Sequence, residues 1–282
     1  MHRVFKSCTC LLCLTLLSGC NAKLTRKKDF NAYLPPSYSE FEVSEKIHPI
    51  EENFQNNDEK WDVSDVDISY VDPNKKLISF TFDDGPSKTM ENILAVFADY
   101  NEQNPDCIAT ASFFLNGGYI TEEALPLLHT ACMLGCELGN HTHRHLNLTA
   151  LTIEEAQAEI QATDELLARI DGKALHLLRP PFGMIDKTLK AELNTPVINW
   201  TIDTLDWTGV SAEEIYNAVF NARFSGAIVL MHDGYQATVD ALKRLLPDLK
   251  ADGYQVVSVS ALAKAHGCTL YNKKEYIRAR KQ

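Results

Sequence analysis

A chain of 282 residues with 45% hydrophobic content can bury a sizeable core in one large domain plus extensions. Its formal net charge of −11 argues against nucleic acid as a partner. The acids are unevenly spread, with twelve acids against two bases between Asp29 and Asp72.

Residues 1–20 read as a lipoprotein-type signal peptide. Arg3 and Lys6 precede the apolar run Leu11 to Leu17, which is too short to span a membrane as a mature helix. The run ends in Leu17-Ser18-Gly19-Cys20, and small residues directly before a cysteine resemble a bacterial lipobox. On that reading Cys20 is lipidated and anchors the protein outside the cytoplasm. The alternative is an ordinary signal peptide and a secreted protein. Residues 21–74 show no sustained period and read as an acidic flexible tether. Lys23, Arg26, Lys27 and Lys28 either rest on anionic headgroups or belong to a solvated linker.

From residue 75 short apolar runs alternate with helical periods. Strands are predicted at 77–82, 108–115, 137–140, 174–178, 197–202, 227–231 and 255–258. Helices are predicted at 89–100, 122–134, 153–170, 187–193, 212–224, 238–252 and 260–265. Thr152 with Glu155 forms a capping box, and Gly172 stands where a C-cap belongs. This alternation predicts an α/β fold with a parallel sheet in a single domain, residues 75–268. Barrel and open sheet both place functional groups at the carboxyl ends of the strands. Residues 269–282 read as a basic, frayed tail. Beyond the leader stand Cys107, Cys132, Cys136 and Cys268. Export permits disulfides among them, and plain buried thiols fit equally well.

The polar outliers all fall at strand ends. Asp83 and Asp84 follow the first strand; His141, His143 and His145 follow the third. Arg179 follows the fourth, Asp203 and Asp206 the fifth, and His232 the sixth. Two adjacent carboxylates at the end of a buried strand repel each other and resist desolvation unless a cation offsets them. Two imidazoles four residues apart, with one carboxylate, make a His₂–Asp face that leaves positions open for water and substrate, the pattern of a catalytic metal site. His143 lies between them and stays outside the proposed ligand set.

Thr81-Phe82-Asp83-Asp84-Gly85, His141-Thr-His-Arg-His145, Arg179-Pro-Pro-Phe-Gly183, Asp203-Thr-Leu-Asp-Trp207 and Leu230-Met-His232, in that order, resemble the five motifs of the polysaccharide deacetylases. These are the NodB-homology domains of carbohydrate esterase family four. The resemblance implies a distorted (β/α) barrel of about seven parallel strands and a divalent ion, most often zinc, with cobalt or nickel as alternatives. The implied ligands are Asp84, His141 and His145. Asp83 would be the base, His232 the acid, and the Phe182 N–H an oxyanion donor. Arg179 would orient Asp83 and Asp206 would pair with His232, unless both are ordinary rim salt bridges. Trp207 and Leu230 would wall the acetyl pocket, or simply belong to the core. His143-Arg144 departs from the aromatic and small polar residues that the family often carries there.

The implied activity is removal of acetyl groups from extracellular polysaccharide, foremost N-deacetylation of N-acetylglucosamine units in peptidoglycan or a chitin-like glycan. An O-acetyl (acetyl-xylan) esterase and an inactive glycan-binding module are the alternatives. No feature of the sequence fixes an oligomeric state.

Overall fold

The structure is a computed structural model describing residues 59–280. The leader with Cys20, the tether up to residue 58 and the last two residues lie outside the described part. In chain order the elements are β1 (Lys76–Gly85), α1 (Lys88–Gln103), β2 (Ser112–Leu115), α2 (Leu125–Met133), β3 (Glu137–Asn140), α3 (Ile153–Asp171), α4 (Lys187–Ala191), β4 (Val197–Ile198), β5 (Ile202–Asp203), α5 (Ala212–Ala222), β6 (Ile228–His232), α6 (Gln236–Ala251), β7 (Tyr254–Val257), α7 (Val259–Ala265) and β8 (Glu275–Tyr276).

The strands run in the order β3-β2-β1-β6-β5, with β7 also on β1, and every named strand pair is parallel. β1 occupies the centre because its run from Leu77 to Asp83 is buried on both faces, as a strand covered by helices on one side and barrel interior on the other must be. Phe80, Phe82 and Phe113 are fully buried, and the Phe82 and Phe113 rings stack at 5.1 Å. α3 starts on the expected capping box, and Gly172 ends it with φ 77°, a conformation open to glycine without steric cost. The predicted α/β barrel is present, in distorted form.

The distortion lies where the sheet turns from β3 towards β5. The strand expected at 174–178 contracts to single bridges from Leu178 to Asn140 and to Val197. The strand expected at 197–202 divides into β4 and β5, one on each side of Trp200. β4 is completed by β8, which belongs to the segment expected to fray. Ala279 exchanges further backbone contacts with Gly226, and Arg278 bridges to Ala227, so this tail is part of the barrel wall. The tether likewise joins the fold before residue 74. Lys60 bridges to Tyr271, and Trp61, Val66, Ile68 and Tyr70 pack against the cluster holding Leu262 and Val257. The four cysteines are free thiols. Burial pushes Cys132 up to about 11 and Cys136 to about 12, so both stay protonated and unreactive near neutrality. No helix among the described residues is long and apolar enough to cross a membrane.

Candidate metal centre and active site

The parallel register delivers the outliers to one rim. Asp83 of β1 pairs with His232 of β6, and Asn140, the last residue of β3, pairs with Leu115 at the end of β2. The residues just beyond these ends therefore converge. Asp84 Oδ1 lies 3.5 Å from His141 Nε2 and 3.4 Å from His145 Nε2. Two donors each about 2.1 Å from a tetrahedral ion stand about 3.4 Å apart, so these separations suit one shared metal. Asp84 Oδ1 is buried yet makes no hydrogen bond, and a carboxylate oxygen left without a partner between two imidazoles suits a cation. The three ligand atoms all lie within 4.8 Å of one another.

The backbone around these residues is bent to serve the geometry. Asp84, Thr142 and His145 all adopt positive φ, at 72°, 66° and 56°. Such residues need enforcement by their surroundings. The His141 ring is fixed through its side chain: its Nδ1 donates to the Arg179 carbonyl at 2.7 Å, which leaves the Nε2 lone pair facing Asp84. Burial, with His141 beside it, holds the His145 imidazole below its ordinary range, so it is neutral and available as a ligand. His143 stays out of the ligand set. Its carbonyl accepts the Gly118 N–H, and its neighbour Arg144 is tied through backbone N–H and Nε to the buried Glu159.

Asp83, 3% exposed, is held from the opposite side. Arg179, fully buried, donates from Nη1 to Asp83 Oδ1 at 2.8 Å and to Thr81 Oγ1 at 2.6 Å, and from Nε to the Ile198 carbonyl. Its guanidinium also lies over the Phe114 ring at 4.2 Å. Burial lowers the Arg179 pKa and the Asp83 charge opposes that. Asp83 Oδ2 is left free on the metal side, 3.8 Å from His141 Nε2.

His232 Nδ1 meets Asp206 Oδ1 at 2.7 Å, and Asp206 Oδ2 accepts the His232 N–H and the Thr238 hydroxyl. Burial works against the charged imidazole, yet the Asp206 hydrogen bond and the fields of Asp83, Asp206 and Asp84 prevail and raise its pKa. Phe182 has φ 61°, is 61% exposed, and sets its ring 4.8 Å from that of His145. Trp207 is 54% exposed on the same rim, which removes the core reading for it, whereas Leu230 is buried within β6.

Sequence reasoning overlooked several supports. Thr81, Asn140 and Asp233 were given no role of their own. Asn140 Oδ1 accepts the Thr142 N–H, and its amide donates to Ile160 O and Asp164. Asp164 also receives Nδ1 of the buried His176, whose Nε2 meets Asp171 at 3.2 Å. A polar side chain at a wholly buried strand position was the one available signal.

Residues 70–196 match the family model described as polysaccharide deacetylase. The chain is 35% identical over 196 residues to the peptidoglycan-N-acetylmuramic acid deacetylase PdaC of Bacillus subtilis, in 68% of this chain and 40% of that protein. It is 35% identical to a peptidoglycan-N-acetylglucosamine deacetylase of Bacillus cereus, in 67% of this chain and 69% of that one. Among solved structures it resembles the Xyl-CE4 domain of a multidomain xylanase from the hindgut metagenome of Trinervitermes trinervoides. That likeness has a TM-score of 0.68 and 30% identity, and covers 74% of this chain and all of that one. The matched region thus spans less than half of PdaC and about two thirds of the Bacillus cereus enzyme.

Proposed function

The chain belongs to the polysaccharide deacetylase family, and from that membership we propose that it hydrolyses N-acetyl groups on N-acetylated sugars of an extracellular glycan, foremost peptidoglycan. The orphaned Asp84 Oδ1, facing two imidazoles and flanked by an Arg-held carboxylate and an Asp-held imidazole, carries this reading.

A divalent ion held by Asp84, His141 and His145, a donor set that suits zinc, would acidify water and polarise the acetyl carbonyl. Asp83 takes the proton from the attacking water at Oδ2, the oxygen that Arg179 leaves free. The Phe182 N–H supports the carbonyl oxygen as negative charge develops there. His232, kept protonated by Asp206, gives its proton to the leaving nitrogen as the carbon–nitrogen bond breaks. The products are acetate and a free amine. Amide cleavage needs this donation more than ester cleavage does, because an unprotonated amide nitrogen is a very poor leaving group. Phe182 and Trp207, exposed on the rim, offer apolar faces to the sugar.

Lipidation at Cys20 and attachment to the outer face of the membrane complete the reading, supported by the leader pattern alone. Metabolic acyl labelling should disappear in Cys20→Ala, and unchanged labelling would overturn it. The activity is tested by acetate release from peptidoglycan, chito-oligosaccharides and acetyl-xylan, each with zinc, cobalt or nickel. Release from the N-acetylated glycans is expected. Release from acetyl-xylan alone would replace this reading with an esterase.

A further inference from the structure

We propose that Asp233 is a positioning residue, which clamps Ser87 and thereby fixes the turn that sets Asp83 and Asp84 side by side. The inference rests on the reading of Asp84, His141 and His145 as a metal centre. β1 and β6 run in register up to the pair Asp83 and His232. One residue on, the Asp233 N–H donates to the Asp83 carbonyl at 2.8 Å, which is the last rung of that ladder. The two chains then part. Asp84 turns into the left-handed region, and β1 ends at Gly85.

What holds the turn beyond that point is the Asp233 side chain. Its Oδ2 accepts the Ser87 N–H at 2.7 Å, and its Oδ1 accepts the Ser87 hydroxyl at 2.8 Å. Ser87 in turn caps α1, its Oγ accepting the Thr89 N–H. Both carboxylate oxygens of Asp233 are thus engaged, and the residue is 4% exposed. Between the two anchors, the Gly85 carbonyl accepts the Asn116 N–H at 2.8 Å, and the Asn116 amide reaches the His141 carbonyl. The turn bearing one ligand is therefore tied to the loop bearing the others. Gly85 is confined by the same clamp, since a Cβ there would lie 2.7 Å from Asp233 Oδ2. With Asp83 O, Gly85 O and Ser87 all pinned, Asp84 has no room to leave its left-handed conformation, which a residue with a side chain holds only when its surroundings impose it.

The test is a titration of the metal-free full-length chain with Co(II), followed by visible absorption and paired with urea midpoints and steady-state kinetics. Asp233→Ala should weaken Co(II) binding by about 10- to 100-fold, as loss of an outer support does, and change the cobalt band shape. It should also lower kcat more than it raises KM. Ser87→Ala should shift each readout the same way by less. Asp233→Asn, which keeps one acceptor for Ser87, should fall between. A purely structural role would lower the urea midpoint and leave cobalt affinity and spectrum alone. If Asp233→Ala does not fold, Ser87→Ala and Asp233→Asn decide the question. Cobalt binding within two-fold of wild type in the folded variants, with an unchanged spectrum, overturns the inference while leaving the metal centre standing. Failure of the wild-type chain to bind Co(II) overturns both.

Discussion

The buried His176 offers a quantitative check on the packing behind Asn140. Burial disfavours its charged form, but hydrogen bonds to Asp164 at 2.9 Å and Asp171 at 3.2 Å prevail, raising its pKa to about 9. The unfolded chain titrates histidine near 6.5. Between these values the folded protein holds the extra proton, so stability falls as pH rises. The contribution is fully present below about pH 6.5 and is gone above about pH 9. A difference of about 2.5 pKa units corresponds to about 3 kcal/mol. For a domain of this size that is roughly 6–12 °C in Tm. The assay is a set of urea midpoints for wild type and His176→Gln from pH 5.5 to 10, because the difference between the two isolates this group from the remaining titrations. The stability advantage of wild type should shrink by about 3 kcal/mol across the window. Two parallel curves, or an advantage that grows with pH, would refute the assignment of a buried imidazolium between two aspartates.

Other perturbations separate the roles of the rim residues. Arg179→Ala leaves the buried Asp83 carboxylate without its partner and should cost about 3–5 kcal/mol in urea denaturation; a loss under 1 kcal/mol would mean the pair is not buried as described. Asp206→Asn removes the negative charge that favours the protonated His232, so the alkaline limb of the kcat profile should move to lower pH; an unmoved limb would exclude His232 as the acid. Asp83→Asn should lower kcat by about 10²- to 10⁴-fold with metal still bound, whereas His141→Ala should lose the metal itself, both read by metal analysis beside acetate release.

The chemistry at the rim was legible because a parallel α/β fold sends every strand end to the same side, and charged residues there contradict the apolar runs before them. Strand-end position grouped His141 and His145 with one of two carboxylates, the family resemblance singled out Asp84, and the structure brings the three donor atoms together. The wall between β3 and β5 was not legible. Leu178, Val197–Ile198 and Glu275–Tyr276 form elements of one or two residues, held by distant partners and too short to express a period. The segment from Tyr271 to Arg280 looked frayed because its bases signal solvent, yet its backbone groups fill vacancies on β4 and at Gly226. Asp233 escaped notice because nothing in a sequence distinguishes a carboxylate that grips a serine 146 residues away from one that merely ends a strand.

The central position of β1 also has a temporal side. Thr81 bonds to Val229, 148 residues later, and Asp83 waits 96 residues for Arg179. At synthesis rates of roughly 5–20 residues per second, β6 follows β1 by roughly 7–30 s. Throughout that interval the apolar run Leu77–Phe82 has a β-rich, partnerless edge, and contacts this remote in sequence slow the closing of the barrel. The strand that carries Asp83 and Asp84 is thus among the first made, and its edge against β6 is among the last to be closed.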